Sequence, residues 1–280
     1  MEERNRFVDL HVHTNYSDGI FAPGKVVGLA KERGLTGFAV TDHDTVRGVE
    51  EALSAGVNLG VEVIPGVEIS ANYLKSPEKE VHILGYFVDW KDEKFVATLE
   101  RFRQVRYERA KSIVSKLNGL SIMISFEDVI KNAGNMNSVG RLHIARALIE
   151  KGVVHNVGEA FARYLAPDKP GYVPKDMLSP REAIELILNS KGIPVLAHPQ
   201  YGASDNESIA EFVGYGLKGI EVWHTKHTKR MIMYFLDLVK KFGLTPTGGS
   251  DCHGGIDHHG PVIGNLKIPY EVLEALKEVR

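Results

Sequence analysis

Short apolar runs that carry or lead into a histidine or carboxylate recur along this chain, and they confine it to folds whose strands open onto one common face. Phe7–Val12 is strand-like and contains His11, with His13 just beyond it. Gly37–Thr41 leads into Asp42, His43 and Asp44, Glu62–Pro65 precedes Glu68, and His82 lies within Val81–Tyr86. Ile193–Ala197 runs into His198, and Leu244–Thr247 is followed by Asp251 and His253. Helical stretches separate these runs: Pro23–Arg33, Val46–Ala55, a segment started by Ser179, Pro180 and Glu182, Glu207–Tyr215, Lys226–Phe242 and Tyr270–Val279. Strands alternating with helices predict a mainly parallel sheet or barrel with helices outside. With Gly219–Trp223 added, roughly seven strand–helix units favour a closed barrel over an open sheet.

The alternation stops between 92 and 178. Phe95, Leu99, Phe102, Val105, Ile113 and Leu117 form the apolar stripe of a long charged helix. Ser125 and Asp128 suit a capping box, Gly140 precedes a helical run through Ile149, and Glu159–Tyr164 is a shorter helical piece. The expected organisation is a barrel built from 1–91 and 179–280, with a helical insertion over 92–178 that contributes to a substrate pocket.

Composition narrows the function classes. The 280 residues carry 34 basic and 36 acidic side chains, a net charge of -2, so no long duplex groove is expected. A single cysteine, Cys252, excludes an internal disulfide framework and any multi-cysteine metal site; alternating with Asp251 and His253, it reads as a buried small side chain rather than a nucleophile. The polar start and the lack of a long apolar run point to a cytoplasmic protein without a membrane span, and nothing indicates an obligate protein partner.

On a strand, alternate residues project to the same side, so His11 and His13 present two imidazoles together. Imidazole and carboxylate suit manganese, zinc or iron. An isolated His-x-His is as readily a hydrogen-bonded core pair, but recurrence of such residues at equivalent strand ends favours a shared metal centre. Asp9 is expected to orient an imidazole, and Asp42 and Asp44 to cap backbone amides or orient His43. Tyr86 and Trp223 could stack on a base, although aromatic residues on strands more often lie in a core.

Asp9-Leu10-His11-Val12-His13-Thr14 with Ser17-Asp18-Gly19, Ala39-Val40-Thr41-Asp42-His43-Asp44-Thr45, and Pro65-Gly66-Val67-Glu68 resemble the PHP (polymerase and histidinol phosphatase) family. Val81-His82-Ile83-Leu84-Gly85-Tyr86, Leu196-Ala197-His198-Pro199 and Gly249-Ser250-Asp251-Cys252-His253-Gly254 extend the resemblance over nearly the whole chain. It implies a distorted seven-stranded β/α barrel holding two or three divalent metal ions. One ion would take His11, His13, Glu68 and Asp251, a second would share Glu68 and add His82 and His198, and a third would take Asp18, His43 and His253. Asp18 stands where the broader family often has histidine, and in Ser17-Asp18-Gly19 it could also be a plain turn residue. Manganese is expected in activity assays, with zinc or iron possible.

Gly140-Arg141-Leu142-His143-Ile144-Ala145-Arg146 and Glu221-Val222-Trp223-His224 with His227 resemble the branch that removes phosphate from nucleoside 3′,5′-bisphosphates or trims short RNA. The chemistry so implied is attack of metal-activated hydroxide on a phosphate ester, with Glu68, Asp251, His198 and His143 in catalytic roles. Arg141, His143, His224 and His227 are candidates for phosphate binding. Arg141 and His143 would converge only by straddling an irregular helix start, and His224 and His227 would face together if a helix had already begun there. The expected substrate is a small phosphorylated nucleotide, such as pAp or AMP, or a short single-stranded RNA end. Histidinol phosphate is the alternative within the family, and a non-catalytic nucleotide-binding module the alternative outside it.

Overall fold

A computed structural model describes residues 6–73, 75, 80–132, 139–174, 178–254 and 262–280. His258 and His259, expected in a loop, lie outside the described residues. Strands β1 (Phe7–Val12), β2 (Gly37–Val40), β3 (Glu62–Asn72), β4 (Glu80–Tyr86), β5 (Ile193–Leu196), β6 (Gly219–His224) and β7 (Thr245–Gly249) are hydrogen-bonded in sequence order, and the two-residue β8 (Ile268–Pro269) adds to the far side of β1. The α/β barrel thus has the seven expected strands and an eighth. The edges of β1 and β7 approach each other where the Asp251 N–H donates to the His11 carbonyl and the His13 N–H to the Cys252 carbonyl. Glycine is required at 249, because a Cβ there would lie 2.3 Å from the His11 backbone nitrogen.

The sheet is less parallel than the alternation suggests. β1–β2, β2–β3, β5–β6 and β6–β7 are parallel, whereas β3–β4, β4–β5 and β1–β8 are antiparallel. The connection 73–79 is too short for the crossover that parallel neighbours need. Strand β3 also runs on to Asn72 rather than stopping at Pro65, which puts Glu68 inside a strand, paired with Leu84.

Helices α1 (Pro23–Glu32), α2 (Val49–Leu59), α3 (Glu93–Gly119), α4 (Phe126–Asn132), α5 (Arg141–Glu150), α6 (Val157–Ala160), α7 (Pro180–Asn189), α8 (Asn206–Tyr215), α9 (Lys229–Phe242) and α10 (Tyr270–Glu278) complete the described chain, with a π turn over Phe161–Leu165. Helix α2 is displaced from the expected Val46–Ala55 and stops at Gly60, whose φ of 70° costs glycine no Cβ clash. Helix α9 starts three residues after the expected Lys226, because the Thr228 hydroxyl caps the Met231 N–H. Both capping boxes read from the sequence form, at Ser125–Asp128 and Ser179–Glu182.

Helix α3 ties the insertion to the barrel. Phe95 and Leu99 in its first half pack into the barrel core with Ile69, Ile83 and Phe212. Ala110, Ile113, Val114 and Leu117 in its second half join Ile144, Leu148 and Leu165 in a separate apolar cluster under α4, α5 and α6. One continuous 27-residue helix therefore fixes the insertion over the barrel. Tyr86 is wholly buried and Trp223 packs against two core clusters, so neither strand aromatic is placed to receive a ligand. No helix among the described residues is long and apolar enough to cross a membrane.

Candidate metal centre

Glu68 is the hub of the site. One of its oxygens, Oε2, lies 3.2 Å from His11 Nε2, His13 Nε2 and His43 Nδ1. The other, Oε1, lies 2.8 Å from His82 Nδ1 and from His198 Nε2. Asp251 Oδ1 stands 3.4 Å from His11 Nε2 and 3.1 Å from His13 Nε2. Asp18 faces His253 Nε2 at 3.2 Å, with His43 Nε2 at 3.7 Å from its other oxygen. All nine candidate ligands named from the sequence thus meet at one mouth of the barrel, supplied by β1, β3, β4 and the turns after β1, β2, β5 and β7.

Their donor atoms fall into groups able to hold cations: His11, His13, Glu68 and Asp251; His13, Asp18, His43 and His253; and His43, Glu68 and His82. Within each group the donors lie within 4.8 Å of one another. The first set coincides with the expected one, the second adds His13, and the third brings His43 rather than His198 beside His82. His11 Nε2, His13 Nε2, His43 Nδ1, Asp18 Oδ1 and Glu68 Oε2 are buried without a hydrogen-bond partner among the described residues. Buried polar atoms normally find a partner, so convergent orphans of this kind fit a cation.

Charge around the hub is strongly coupled. Burial alone would raise the Glu68 carboxyl, but His43, His11 and His82 outweigh it and hold the group well below the usual range. Asp251 and Asp18 are lowered in the same way, against burial, chiefly by His11 and His253 for the first and His253 and His43 for the second. Burial opposes protonation of His13, yet Asp251 and Glu68 push it up to about 10. His82 reaches about 9 through Glu68 and Glu80, and His11 is raised well above the ordinary value by Glu221, Glu68 and Asp251. At His43 burial wins, and the pKa falls to about 3.

The carboxylate bonded to His11 is Glu221, which the sequence reading quoted within a motif without giving it a role. It is fully buried, meets His11 Nδ1 at 2.9 Å and accepts the His198 N–H at 2.7 Å. A carboxylate between Ile220 and Val222 in an otherwise apolar strand was the available signal. Asp9, expected to orient an imidazole, instead accepts backbone N–H groups of Ser250 and Gly264 at 2.8 Å, pinning the strand ends. Asp42 accepts the Thr14 N–H and hydroxyl, and Asp44 accepts the Ser70 N–H and the Arg106 guanidinium. Both therefore brace backbone, one of the two roles expected of them. His198 and Asp251 have φ of 25° and 56°, so two residues at the centre are held in backbone conformations that only a constraining surround maintains.

Beside the cluster lies a recess of about 160 Å³ lined by Asp18, His43 and His82 and by Arg106, Arg109 and Arg141 of α3 and α5. Arg141 reaches Glu80 at 3.0 Å. His143 does not line this recess: it is buried, and the Gly140 N–H donates to its Nδ1 at 3.0 Å. Helix α5 is regular from Arg141, so the two side chains diverge as positions two apart must. Burial lowers His143 to about 4, with Asp18 opposing and Arg146 reinforcing the shift.

His224 and His227 precede α9 rather than lying on it. His224 ends β6, with Nε2 at 3.4 Å from Asp251 Oδ2, and His227 spans the Val222 carbonyl and the Gln200 side chain. The rings are 5.1 Å apart, but both are engaged with protein groups. Arg106, Arg109 and Glu80 were missed because each sits among charged residues that read as solvated surface.

The PHP domain family matches residues 9–169 of this chain. A 3′,5′-nucleoside bisphosphate phosphatase of Chromobacterium violaceum is 32% identical over 252 residues, covering 88% of this chain and 87% of that protein. A 5′-3′ exoribonuclease of Haemophilus influenzae is 34% identical over 249 residues, covering 88% and 89%. The solved structure of a protein from Bifidobacterium adolescentis, classed as a metal-dependent phosphoesterase, superposes with a TM-score of 0.88 at 30% identity and covers 98% of this chain and 96% of that one. Donors converging at one barrel mouth, the barrel itself and these likenesses lead to one assignment: the chain belongs to the PHP domain family.

Proposed function

We propose that this phosphoester hydrolase removes phosphate from a small nucleotide carrying a second phosphate, such as a nucleoside 3′,5′-bisphosphate, or from a nucleoside monophosphate such as AMP. The observation that carries the reading is the arginine-lined recess directly beside the Glu68 cluster. Burial and the neighbouring Arg141 lower the Arg109 pKa to about 10, so the recess holds crowded positive charge that an entering phosphate would relieve. The names of the relatives from Chromobacterium violaceum and Haemophilus influenzae, a bisphosphate phosphatase and an exoribonuclease, support the same substrate class.

His11, His13, Glu68 and Asp251 would hold one divalent ion, Glu68, His82 and His198 a second, and Asp18, His43 and His253 a third, with manganese favoured for activity and zinc or iron as alternatives. When bound, such ions polarise phosphoryl oxygens and acidify water. The protein's own groups do the rest. Glu68 sets the spacing of the ligands through both oxygens. Glu221 fixes the His11 ring with Nε2 toward the centre, and His224 does the same for Asp251. Arg141 and Arg109 position the second phosphate, and the insertion over 92–178 roofs the recess and limits water.

The test is a substrate panel after metal removal and readdition, containing pAp, AMP, histidinol phosphate and a short 5′-phosphorylated RNA. Phosphate release from pAp is expected, abolished by Glu68→Gln and weakened mainly in KM by Arg109→Ala or Arg141→Ala. Rapid turnover of histidinol phosphate with no action on nucleotides would overturn the substrate assignment. Trimming of a short RNA end is the second reading, favoured by the Haemophilus influenzae relative.

A further inference from the structure

Six consecutive residues of α5, from His143 to Leu148, are buried, more than a full turn of the helix. Ile144, Ala147 and Leu148 enter the apolar cluster of the insertion. His143 and Arg146, three apart and so on one side of the helix, are buried as well, and Arg146 is only 9% exposed. Taking a guanidinium out of water is costly unless good contacts offset it. A terminal nitrogen of Arg146 donates to the Asp18 carbonyl at 3.0 Å, while its Nε is buried without a hydrogen-bond partner among the described residues. The charge that opposes its burial is the Asp18 carboxylate. This arginine therefore ties the insertion to one of the candidate metal ligands.

The barrel fixes the neighbours of Asp18 in its turn. Asp42 accepts the Thr14 and Ser17 hydroxyls, and a Cβ at Gly19 would lie 2.7 Å from the His13 carbonyl oxygen. The Gly19 N–H donates to the Thr14 carbonyl, and the Asp18 carbonyl accepts from Arg146. The Asp18–Gly19 peptide is planar, so it is held at both ends, by the barrel through its N–H and by α5 through its oxygen. With that plane fixed, the Asp18 carboxylate faces His253 Nε2 at 3.2 Å, and His43 Nε2 and His13 Nδ1 at 3.7 Å. Released from Arg146, the peptide could pivot about its one remaining bond and carry the carboxylate away from these nitrogens.

We infer that Arg146 is a positioning residue for the third ion: by gripping the Asp18–Gly19 peptide it aims the Asp18 carboxylate at His43 and His253, so that filling of this site and docking of α5 over the barrel depend on each other. The inference rests on the three-ion reading above. The dependence is reciprocal, since an ion that binds better when α5 is docked must itself favour docking. Charge alone would act with the opposite sign. A guanidinium close to a cation repels it, so an Arg146 that acted only through its charge would weaken the third ion, and its removal would tighten binding.

Equilibrium dialysis of the full chain against graded free manganese, with bound metal counted by plasma mass spectrometry, separates the two. The wild type should take up three ions. Arg146→Met, which fills the space with an apolar chain, should bind the first two as before and need roughly 10- to 100-fold more manganese for the third. Arg146→Lys, which can still donate to the carbonyl, should recover part of that loss. Hydrogen exchange needs no variant: the amides of α5 should gain protection in the wild type as the third ion binds, and not as the first two do. Unchanged or tightened third-ion binding in Arg146→Met, or α5 exchange indifferent to the third ion, would overturn the positioning role and leave the three-ion reading standing. A wild type that never exceeds two ions would instead remove that reading, and this inference with it.

Discussion

Loading the centre with metal should expel at least two protons at pH 7.5. The number follows from the cluster's charge balance. Glu68, Asp251, Asp18 and Glu221 all have lowered pKa values and remain ionised, four negative charges in a few ångströms. Without cations the balance falls to His13 at about 10, His82 at about 9, His11, raised well above its ordinary value, and His253, raised against burial by Asp18. His13 and His82 are protonated at pH 7.5 and each must surrender its proton to present a lone pair to a metal, with His11 and His253 adding to the count. Isothermal titration of a divalent ion into chelator-treated protein, repeated in buffers of different ionisation enthalpy, counts the protons as the slope of apparent enthalpy against buffer enthalpy. The count should fall above pH 9 as His82 and then His13 titrate in the metal-free form. The stability of that form has a matching sign. These folded-state pKa values exceed the unfolded value of about 6.5, so their contribution is complete below pH 6.5 and is lost as pH rises through 9 to 10. The metal-free protein should therefore lose thermal stability between pH 7 and 10, and the loaded protein should not share that loss. Release of less than one proton at pH 7.5 would refute the assignment of these histidines as the metal's ligands.

Four shorter predictions concern the supports of the site. Glu221→Gln keeps the shape but no longer offers two acceptors to His11 and the His198 N–H, and metal affinity measured by competition with a chromogenic chelator should fall roughly 10- to 100-fold; unchanged affinity would remove its orienting role. Gly249→Ala forces a Cβ against the His11 backbone and should cost about 3 kcal/mol in urea unfolding. Arg106→Ala removes the guanidinium that balances the buried Asp44 carboxylate and should cost about 3–5 kcal/mol, with part recovered by adding Asp44→Asn. His143, lowered to about 4, stabilises the fold above its unfolded pKa of about 6.5, and that contribution of about 3 kcal/mol is lost as pH falls toward 4; His143→Gln should flatten this part of the acid-unfolding profile.

What the sequence made legible was whatever sits next to its own strand. His13, His43, His198, Asp251 and His253 follow apolar runs that mark strand ends, and His11, Glu68 and His82 lie in or beside such runs, so their meeting could be anticipated without tertiary information. Asp18 lacks a strand of its own and came only through the family pattern; in the fold it reaches the centre because the 14–19 turn folds back onto β1, with Gly19 N–H bonded to the Thr14 carbonyl. Groups that act across the fold were hidden. Arg106 lies on a helix whose neighbours are largely charged, and its pairing with Asp44 depends on how α3 is set against the barrel rather than on any spacing in the chain. Strand direction was hidden for a related reason, since the apolar pattern of β4 is the same whichever way it pairs and only the short connection to β3 decides. The two strand aromatics fell where strand residues usually do. Tyr86 and Trp223 stand out because they follow strand patterns, and strand patterns are what a core consumes. The metal-ligand candidates of this enzyme are thus written in short motifs that can be read singly, whereas the arginines of α3 and α5 come to the recess only through how those helices are set over the barrel.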